Sequence, residues 1–126
     1  MVPRARQLTA LLKNSPGELA KLCEAFHKVD VNITALMVVE GSARIMVDDS
    51  HRAGEVLDGM GIPYSSAEVI VLEIPDKPGA VADVANKMGK AGINIDYAFA
   101  STVPGRGTAT VVFAVSDVQK AESVVE

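Results

Sequence analysis

The segments Asn14-Ser15-Pro16-Gly17-Glu18 and Asp76-Lys77-Pro78-Gly79-Ala80 place the same Pro-Gly pair ahead of an amphipathic stretch. Each is followed by an asparagine between apolar residues, Asn32 in Val-Asn-Ile and Asn94 in Ile-Asn-Ile. Together these residue types can bind a small zwitterion. A helix N-terminus presents unpaired backbone N–H groups and a partial positive charge, so it receives a carboxylate or a phosphate. Glycine in a helix interior costs roughly 1 kcal/mol against alanine, so a glycine in the first turn needs a reason. It either lets the turn cross close to a neighbouring strand or lets a ligand approach the main-chain amides. Asparagine can donate to a carboxylate and accept from an ammonium, the pairing a free amino acid requires. It can also simply bond nearby backbone where helix passes into strand. In the first segment, Ser15 to Glu18 has the spacing of a capping box, with Ser15 as N-cap, Pro16 at the first helical position and Glu18 reaching back. The second segment has no such box, although Asp76 could cap from one position earlier. The turn at Gly79 is therefore expected to leave more amides available than the turn at Gly17.

Such residues act only if defined elements deliver them, and the chain writes those elements twice. Gly17 and Gly79 are 62 residues apart (79 − 17), and this offset holds without a gap from Asn14 through Tyr97. It aligns Pro16 with Pro78, Ala20 with Ala82, Lys28 with Lys90, Asn32 with Asn94 and Ile33 with Ile95. After a gap, ARIMVDDSHRA matches ATVVFAVSDVQKA. In the first copy Leu19, Leu22, Cys23, Phe26 and Val29 recur at helical spacing opposite Glu18, Lys21, Glu24 and Lys28, so residues 18–29 form an amphipathic helix. Val81, Val84, Ala85, Met88 and Ala91 repeat the stripe. Gly92 suits the φ > 0 position that ends such a helix, and Asp30 takes its place in the first copy. Residues 7–13 and 68–74, ahead of the turns, are short apolar runs stopped by Asn, Asp or Pro and read as strands. Residues 31–39 and 93–102 read as strands that turn, through Glu40-Gly41-Ser42 or through residues 103–107, into residues 43–47 and 108–115. Second helices follow, built on Ala53, Val56, Leu57 and Met60 and on Ala121, Val124 and Val125, the first capped by Asp48-Asp49.

The order β-α-β-β-α, with a last strand after Gly61, is the ferredoxin-like pattern of an α+β fold, with antiparallel sheets carrying helices on one face. The second copy stops within its second helix and lacks the last strand, so a continuing chain or a partner is expected to cover that edge. No turn signal interrupts residues 64–74, and the two copies, residues 1–66 and 67–126, are expected to be rigidly joined.

Composition removes several functions. At 126 residues the chain has the size of one domain or two very small ones, and 48% apolar residues suffice for a core. Nothing approaches the roughly 18 consecutive apolar residues of a membrane helix. MVPRARQLTALL lacks the apolar run and cleavage site of a secretory signal. The one cysteine, Cys23, excludes an internal disulfide and fits a reducing compartment, so a cytoplasmic location away from membranes is expected. A net charge of −4 with 4% aromatics lacks the basic surplus and stacking side chains of a nucleic-acid binder. Arg4 and Arg6 read as a frayed, solvated terminus rather than a phosphate-binding arm. His27 and His51 have no Cys or carboxylate at ligand spacing, so neither a metal site nor a nucleophile–base pair is expected, and no cofactor. Cys23 lies on the apolar stripe and reads as core packing.

The repeated [ND]-x-P-G, amphipathic helix and Val-Asn-Ile or Ile-Asn-Ile resemble the ACT domain, and the doubling resembles the small tandem-ACT proteins. The resemblance spans roughly residues 6–126, with the missing last strand as its departure. It implies two ferredoxin-like (βαββαβ) ACT-type units in a non-catalytic regulatory protein that binds a small effector, most often an amino acid, where ACT units meet. Carried onto this chain, the contacts would come from Asn14, Ser15, Gly17 and Leu19 with Asn32 and Ile33, and from Asp76, Lys77, Pro78, Gly79, Ala80 and Val81 with Asn94 and Ile95. Amides near Gly79 and Ala80 would take the carboxylate, and Asp76 or Asn94 the ammonium. A homodimer is implied, with a metabolic enzyme as the partner it would regulate.

Two rival functions are compatible with the fold class. Acylphosphatase shares the fold class but needs a glycine-rich anion loop with a positioned arginine and a water-orienting asparagine. Gly105-Arg106-Gly107 comes nearest and reads as a flexible hairpin tip. A ligand-independent module that dimerises itself or assembles a partner enzyme fits the same residues. Stabilisation by an amino acid separates a sensor from such a module.

Overall fold

The computed structural model describes residues 4–125; residues 1–3 and 126, which the predicted units include, lie outside that range. In chain order the elements are β1 (Arg4–Leu11), α1 (Glu18–Lys28), β2 (Ile33–Val39), β3 (Ser42–Val47), α2 (Ser50–Gly59), β4 (Tyr64–Pro75), α3 (Ala80–Lys90), β5 (Ile95–Thr102), β6 (Thr108–Val115) and α4 (Val118–Val125). The fold is α+β, and β1 with β3, β2 with β3, β4 with β6 and β5 with β6 all pair antiparallel. Two compact units emerge. One is Arg6–Ala67; the other runs from Glu68 onward and takes in Arg4 and Ala5 from the head of β1. β4 is one unbroken strand of 12 residues whose head, through Ala67, belongs to the first unit and whose body belongs to the second.

Each unit buries its own core. In the first, cross-strand rows run Leu8–Ile45–Leu36 and Ala10–Ala43–Val38. Leu22 and Phe26 of α1 and Ala53 and Leu57 of α2 close over the inner members of these rows. The second unit repeats the plan with rows Ile70–Phe113–Ala98 and Leu72–Val111–Ala100, covered by Ala80, Met88 and Ala121. Burying each large aliphatic or aromatic side chain contributes about 1.5–3 kcal/mol. The helical stripes land where their spacing puts them in their central turns, while Val29 and Met60, at the C-terminal ends of α1 and α2, are 36% and 39% exposed. Cys23, in such a turn, is nevertheless only half-buried. Val81 is 51% exposed, because Ala80 takes the inward position of that turn.

Both first helices end alike. Beyond α1, the Asp30 amide donates to the His27 carbonyl and that of Val31 to Phe26, with Asp30 at φ 63°. Beyond α3, Gly92 at φ 74° donates to Gly89, and Ile93 to Met88. These are Schellman closures, and Val31 and Ile93 are buried just after them. The aspartate tolerates left-handed backbone, as expected. α2 starts on Asp49, whose carboxylate accepts from the Arg52 amide at 3.0 Å.

Arg4 and Arg6 are not a frayed terminus. Both lie in β1; Arg4 donates to Glu122 of α4 at 2.6 and 3.1 Å and stands 3.6 Å from Glu68, while Arg6 donates to Ser66 at 2.9 Å. Strand pairing holds their backbone, and carboxylates rather than phosphates take the Arg4 charge. The Arg4 guanidinium holds the Glu122 carboxyl below the usual glutamate range. A carboxylate with a depressed pKa stabilises the fold above its ordinary titration range and loses that contribution as pH falls through its lowered value. Arg4→Met should therefore lower stability at neutral pH and make no difference once Glu122 is protonated. Urea unfolding at both pH values, with an NMR titration of Glu122, checks this; an equal loss at both assigns the effect to packing.

Gly54 lies buried in α2, and a Cβ there would stand 2.7 Å from Tyr64 Oη and 3.3 Å from its Cζ. Gly89 in α3 has nothing within 4 Å of the same position. Gly89→Ala should stabilise by about 0.5–1 kcal/mol. Gly54→Ala should instead destabilise by about 1 kcal/mol or more through overpacking. Adding Tyr64→Phe removes the nearest atom and should recover about half of that loss in a denaturant double-mutant cycle.

Candidate functional site

A strand that meets Pro-Gly turns before it coils. Gly17 has φ 85°, ψ −9° and Gly79 has φ 91°, ψ −16°, both left-handed. The Glu18 amide donates to the Ser15 carbonyl at 3.4 Å and the Ala80 amide to Lys77 at 3.3 Å. Proline at the second position and glycine with φ > 0 at the third make each a type II turn. The capping box expected at Ser15 is therefore absent. It would require Gly17 to be helical, whereas Gly17 is itself the N-cap of α1, as Gly79 is of α3, and neither first turn has a side-chain cap. Asp76 does not cap α3 either. The predicted difference between the two turns disappears: an N-cap glycine offers no oxygen, and both helices present first-turn amides without intrahelical partners.

Asn14, Ser15, Gly17, Asp76, Lys77, Pro78, Gly79 and Val81 are exposed around these turns. Leu19 is half-buried against the first core and Ala80 is 7% exposed, so both also serve packing. Glu18, at the start of α1, lies 3.6 Å from Lys21, where α3 begins with Ala80. Each turn is fastened to the hairpin of its own unit: the Leu12 amide donates to Gly41 at 3.2 Å and the Asp76 amide to Gly107 at 3.0 Å.

The asparagines lie elsewhere. The Asn32 amide donates to Asp48 Oδ1 at 2.9 Å, and the Asp48 amide returns a bond to the Asn32 carbonyl at 3.1 Å. Asn94 exchanges the same pair with Ser116, at 3.0 and 2.9 Å. Both asparagines thus sit at the far end of their hairpins, after the C-terminus of the first helix, while the glycine turns precede its N-terminus. A helix of 11 residues is about 16 Å long, so within one unit the two halves of the predicted site do not meet. Ile33 and Ile95 pack against their respective cores. The side chains of Asn32 and Asn94 are exposed, and Asn94 Nδ2 donates to Asp96 Oδ1 at 2.9 Å. Asp96 sits in a bulge, where the β5–β6 register shifts between Ile95 and Tyr97.

Sequence reasoning missed two charged residues near these positions. Asp96 shares the outer side of the strand start with Asn94, and the i+2 spacing was the available signal. Arg106, set aside as a hairpin tip, lies 3.5 Å from Glu73, close to the Asp76 turn. The Thr110 hydroxyl bonded to Glu73, and then Arg106, hold that carboxyl below its ordinary value. Cys23 and His27 line one small surface hollow. Among the described residues, no three His, Cys, Asp or Glu side chains gather as a metal site would require. No described helix is long and apolar enough to cross a membrane. An open depression of about 700 Å³ between α1 and α2, floored by Val29, Val56 and Met60, contains only non-predicted residues.

Two units with the same uncapped glycine turn and the same bulged strand start call for a family built on that repeat. The model of the ACT domain pair matches residues 4–126. This chain belongs to the ACT domain pair family. Its fold is similar to the crystal structure of a Bacteroides thetaiotaomicron protein at 27% identity and TM-score 0.90, covering 98% of this ACT pair and 88% of that chain. It is also similar to the regulatory subunit of aspartate kinase from Thermus flavus at 15% identity and TM-score 0.73, covering 99% and 93%. The Thermus thermophilus subunit in its ligand-free form matches at 17% identity and TM-score 0.67, covering 96% and 90%. No curated protein sequence matches significantly.

The equivalence of the two turns is measurable. A Cβ at Gly17 or Gly79 meets nothing within 4 Å, so substitution is opposed by backbone conformation alone. Gly17→Ala and Gly79→Ala should each cost about 1–2 kcal/mol. Ser15→Ala should cost less than the ~1 kcal/mol that loss of a true N-cap brings. Thermal unfolding of the three variants tests both statements; a large Ser15 effect restores the capping box.

Proposed function

We propose that this ACT pair is a non-catalytic, cytoplasmic regulatory protein that binds a free amino acid between ACT units and acts as a homodimer on a metabolic enzyme. One observation carries the proposal: two left-handed glycine N-caps leave the first turns of α1 and α3 uncapped, on the exposed turns where an ACT effector would bind. The carboxylate would be received by amides around Gly79 and Val81, the Ala80 amide being turned toward the Lys77 carbonyl. Asn94 has committed its Nδ2 to Asp96, so its Oδ1 and the Asp96 carboxylate remain as acceptors suited to an ammonium. Because Gly79 and Asn94 stand at opposite ends of α3, a complete site would combine the turn of a unit in one copy with the strand start of a unit in a second copy. Val81, exposed beside Gly79, would contact the effector side chain. The likeness to aspartate kinase regulatory subunits supports a role on an enzyme. The net charge of −4 argues against nucleic acid as a partner.

A thermal-shift screen with the twenty amino acids tests the reading. One or two should raise the melting temperature in proportion to log concentration, the gain reaching about 2.7 kcal/mol at 100 times Kd. Val81→Glu adds an acid to a helix N-terminus, which the helix dipole favours. It should fold normally, lose the shift and thereby locate the site. No shift with any amino acid, or an unchanged shift in Val81→Glu, would overturn the sensor or its location respectively.

A further inference from the structure

The first helices of the two copies carry different chemistry on one face. In α1, Cys23 and His27 are four residues apart (27 − 23). A helix turns once in about 3.6 residues, so these side chains stand one above the other. The expectation that His27 has no cysteine at ligand spacing therefore fails once residues 18–28 are helical. Both side chains line one surface hollow together with Glu24. Leu22 and Phe26, each 1% exposed, fill the core positions of these turns and leave the half-buried Cys23 outside the core. Among the described residues, neither the thiol nor the imidazole has a hydrogen-bond or ion-pair partner. The matched positions of α3, 62 residues later (23 + 62 and 27 + 62), are Ala85 and Gly89. α3 has the same length of 11 residues, and a Cβ at Gly89 would meet nothing within 4 Å. The helix and its packing need neither a thiol nor an imidazole at these positions.

We infer that Cys23 and His27 form an open chelate for a thiophilic divalent cation, zinc foremost. Thiolate sulfur and imidazole nitrogen are donors that zinc takes, at about 2.3 Å and about 2.0–2.1 Å. Side chains one helical turn apart have Cβ atoms about 5–6 Å from each other, a gap that one ion spans after side-chain rotation alone. The Cys23 S–H bond breaks on binding, its electron pair forms the bond from Sγ to the metal, and the proton leaves to solvent. A ring nitrogen of His27 donates its own lone pair, and nothing is oxidised or reduced. Among the described residues no third donor closes the set, so two of the four tetrahedral positions fall to water or to donors of another molecule. Glu24 adds negative charge to the hollow, which favours a cation there. The other imidazole of the chain, His51, stands 3.5 Å from the Glu55 carboxylate, in a pair without sulfur. It serves as a control.

Cobalt, which reports a thiolate ligand by a charge-transfer absorption band, is the probe. The full chain, kept reduced with a phosphine and free of chelators, should develop that band at neutral pH, and zinc should abolish it. Zinc addition should also release about one proton per chain. Cys23→Ala copies Ala85 of the second unit, so it should keep the wild-type circular dichroism spectrum and lose the band. If that variant does not fold, Cys23→Ser keeps the side-chain shape and should lose the band equally. His27→Ala retains the thiol and should weaken cobalt binding by at least about tenfold, whereas His51→Ala should leave it unchanged. No band in the wild type, equal affinity in His27→Ala, or loss of binding in His51→Ala would overturn the assignment. The chelate does not rest on the effector reading. An amino-acid response without cobalt binding removes the chelate only, and cobalt binding without an amino-acid response removes the effector reading only.

Discussion

A strand that runs into Pro-Gly has one inexpensive way forward. Proline fixes φ near −65° and glycine supplies the positive φ that other residues reach only with strain, so the chain closes a type II turn before coiling. Gly17 and Gly79 do this with nearly equal angles, 85° and 91°. Several features depend on the turn. It sets the angle at which α1 and α3 leave their strands, and so which stripe faces the sheet. It makes glycine the N-cap, which leaves the first-turn amides without a side-chain partner. Through the Leu12–Gly41 and Asp76–Gly107 bonds each turn is also anchored to the hairpin of its own unit. Scaffold and candidate site therefore share one backbone constraint.

That constraint explains what was legible in the sequence and what was not. Helices and strands could be read because their periods survive folding: Leu22 and Phe26, Met88, Ile45 and Phe113 are buried where 3.6- and 2-residue spacing puts them. Asp30 and Gly92 were readable as helix stops because left-handed backbone admits few residue types. The capping box misled because Ser-x-x-Glu spacing is one-dimensional, while capping depends on the conformation of the residues between, and Pro-Gly had already decided that. Val81 misled for a related reason, since a turn begun on a left-handed glycine rotates Ala80 inward in its place. Arg4 escaped because its partner Glu122 lies at the other end of the chain. Local pattern has no access to such a pairing.

The candidate residues could be picked out in the sequence, but not where the fold would put them. Repeated Pro-Gly and Asn are visible in the sequence, yet their spacing hides that α1 or α3 stands between them. Eleven helical residues put the two groups about 16 Å apart, so proximity in sequence becomes separation in the unit. Duplication made the comparison of the copies more informative than either copy alone. Where they agree, as at the turns, the Schellman closures and the bulges after Asn32 and Asn94, the fold requires the feature. Where they differ, as at Leu36 and Val38 against Ala98 and Ala100, the fold tolerates either.

Separation of the two groups has a thermodynamic consequence for the proposed function. If an effector takes its carboxylate contacts from the turn of one unit and its ammonium contacts from the strand start of another, neither unit alone binds it well. Binding and association are then linked. An effector held at a junction between copies stabilises the association by the same factor by which association improves effector affinity. No conformational switch inside a unit is needed for this coupling, which suits a chain whose two cores are small and closed. On the proposed function the relevant equilibrium would lie between copies, or between the ACT pair and the proposed enzyme partner, and an effector would shift it by its differential affinity for the joined state.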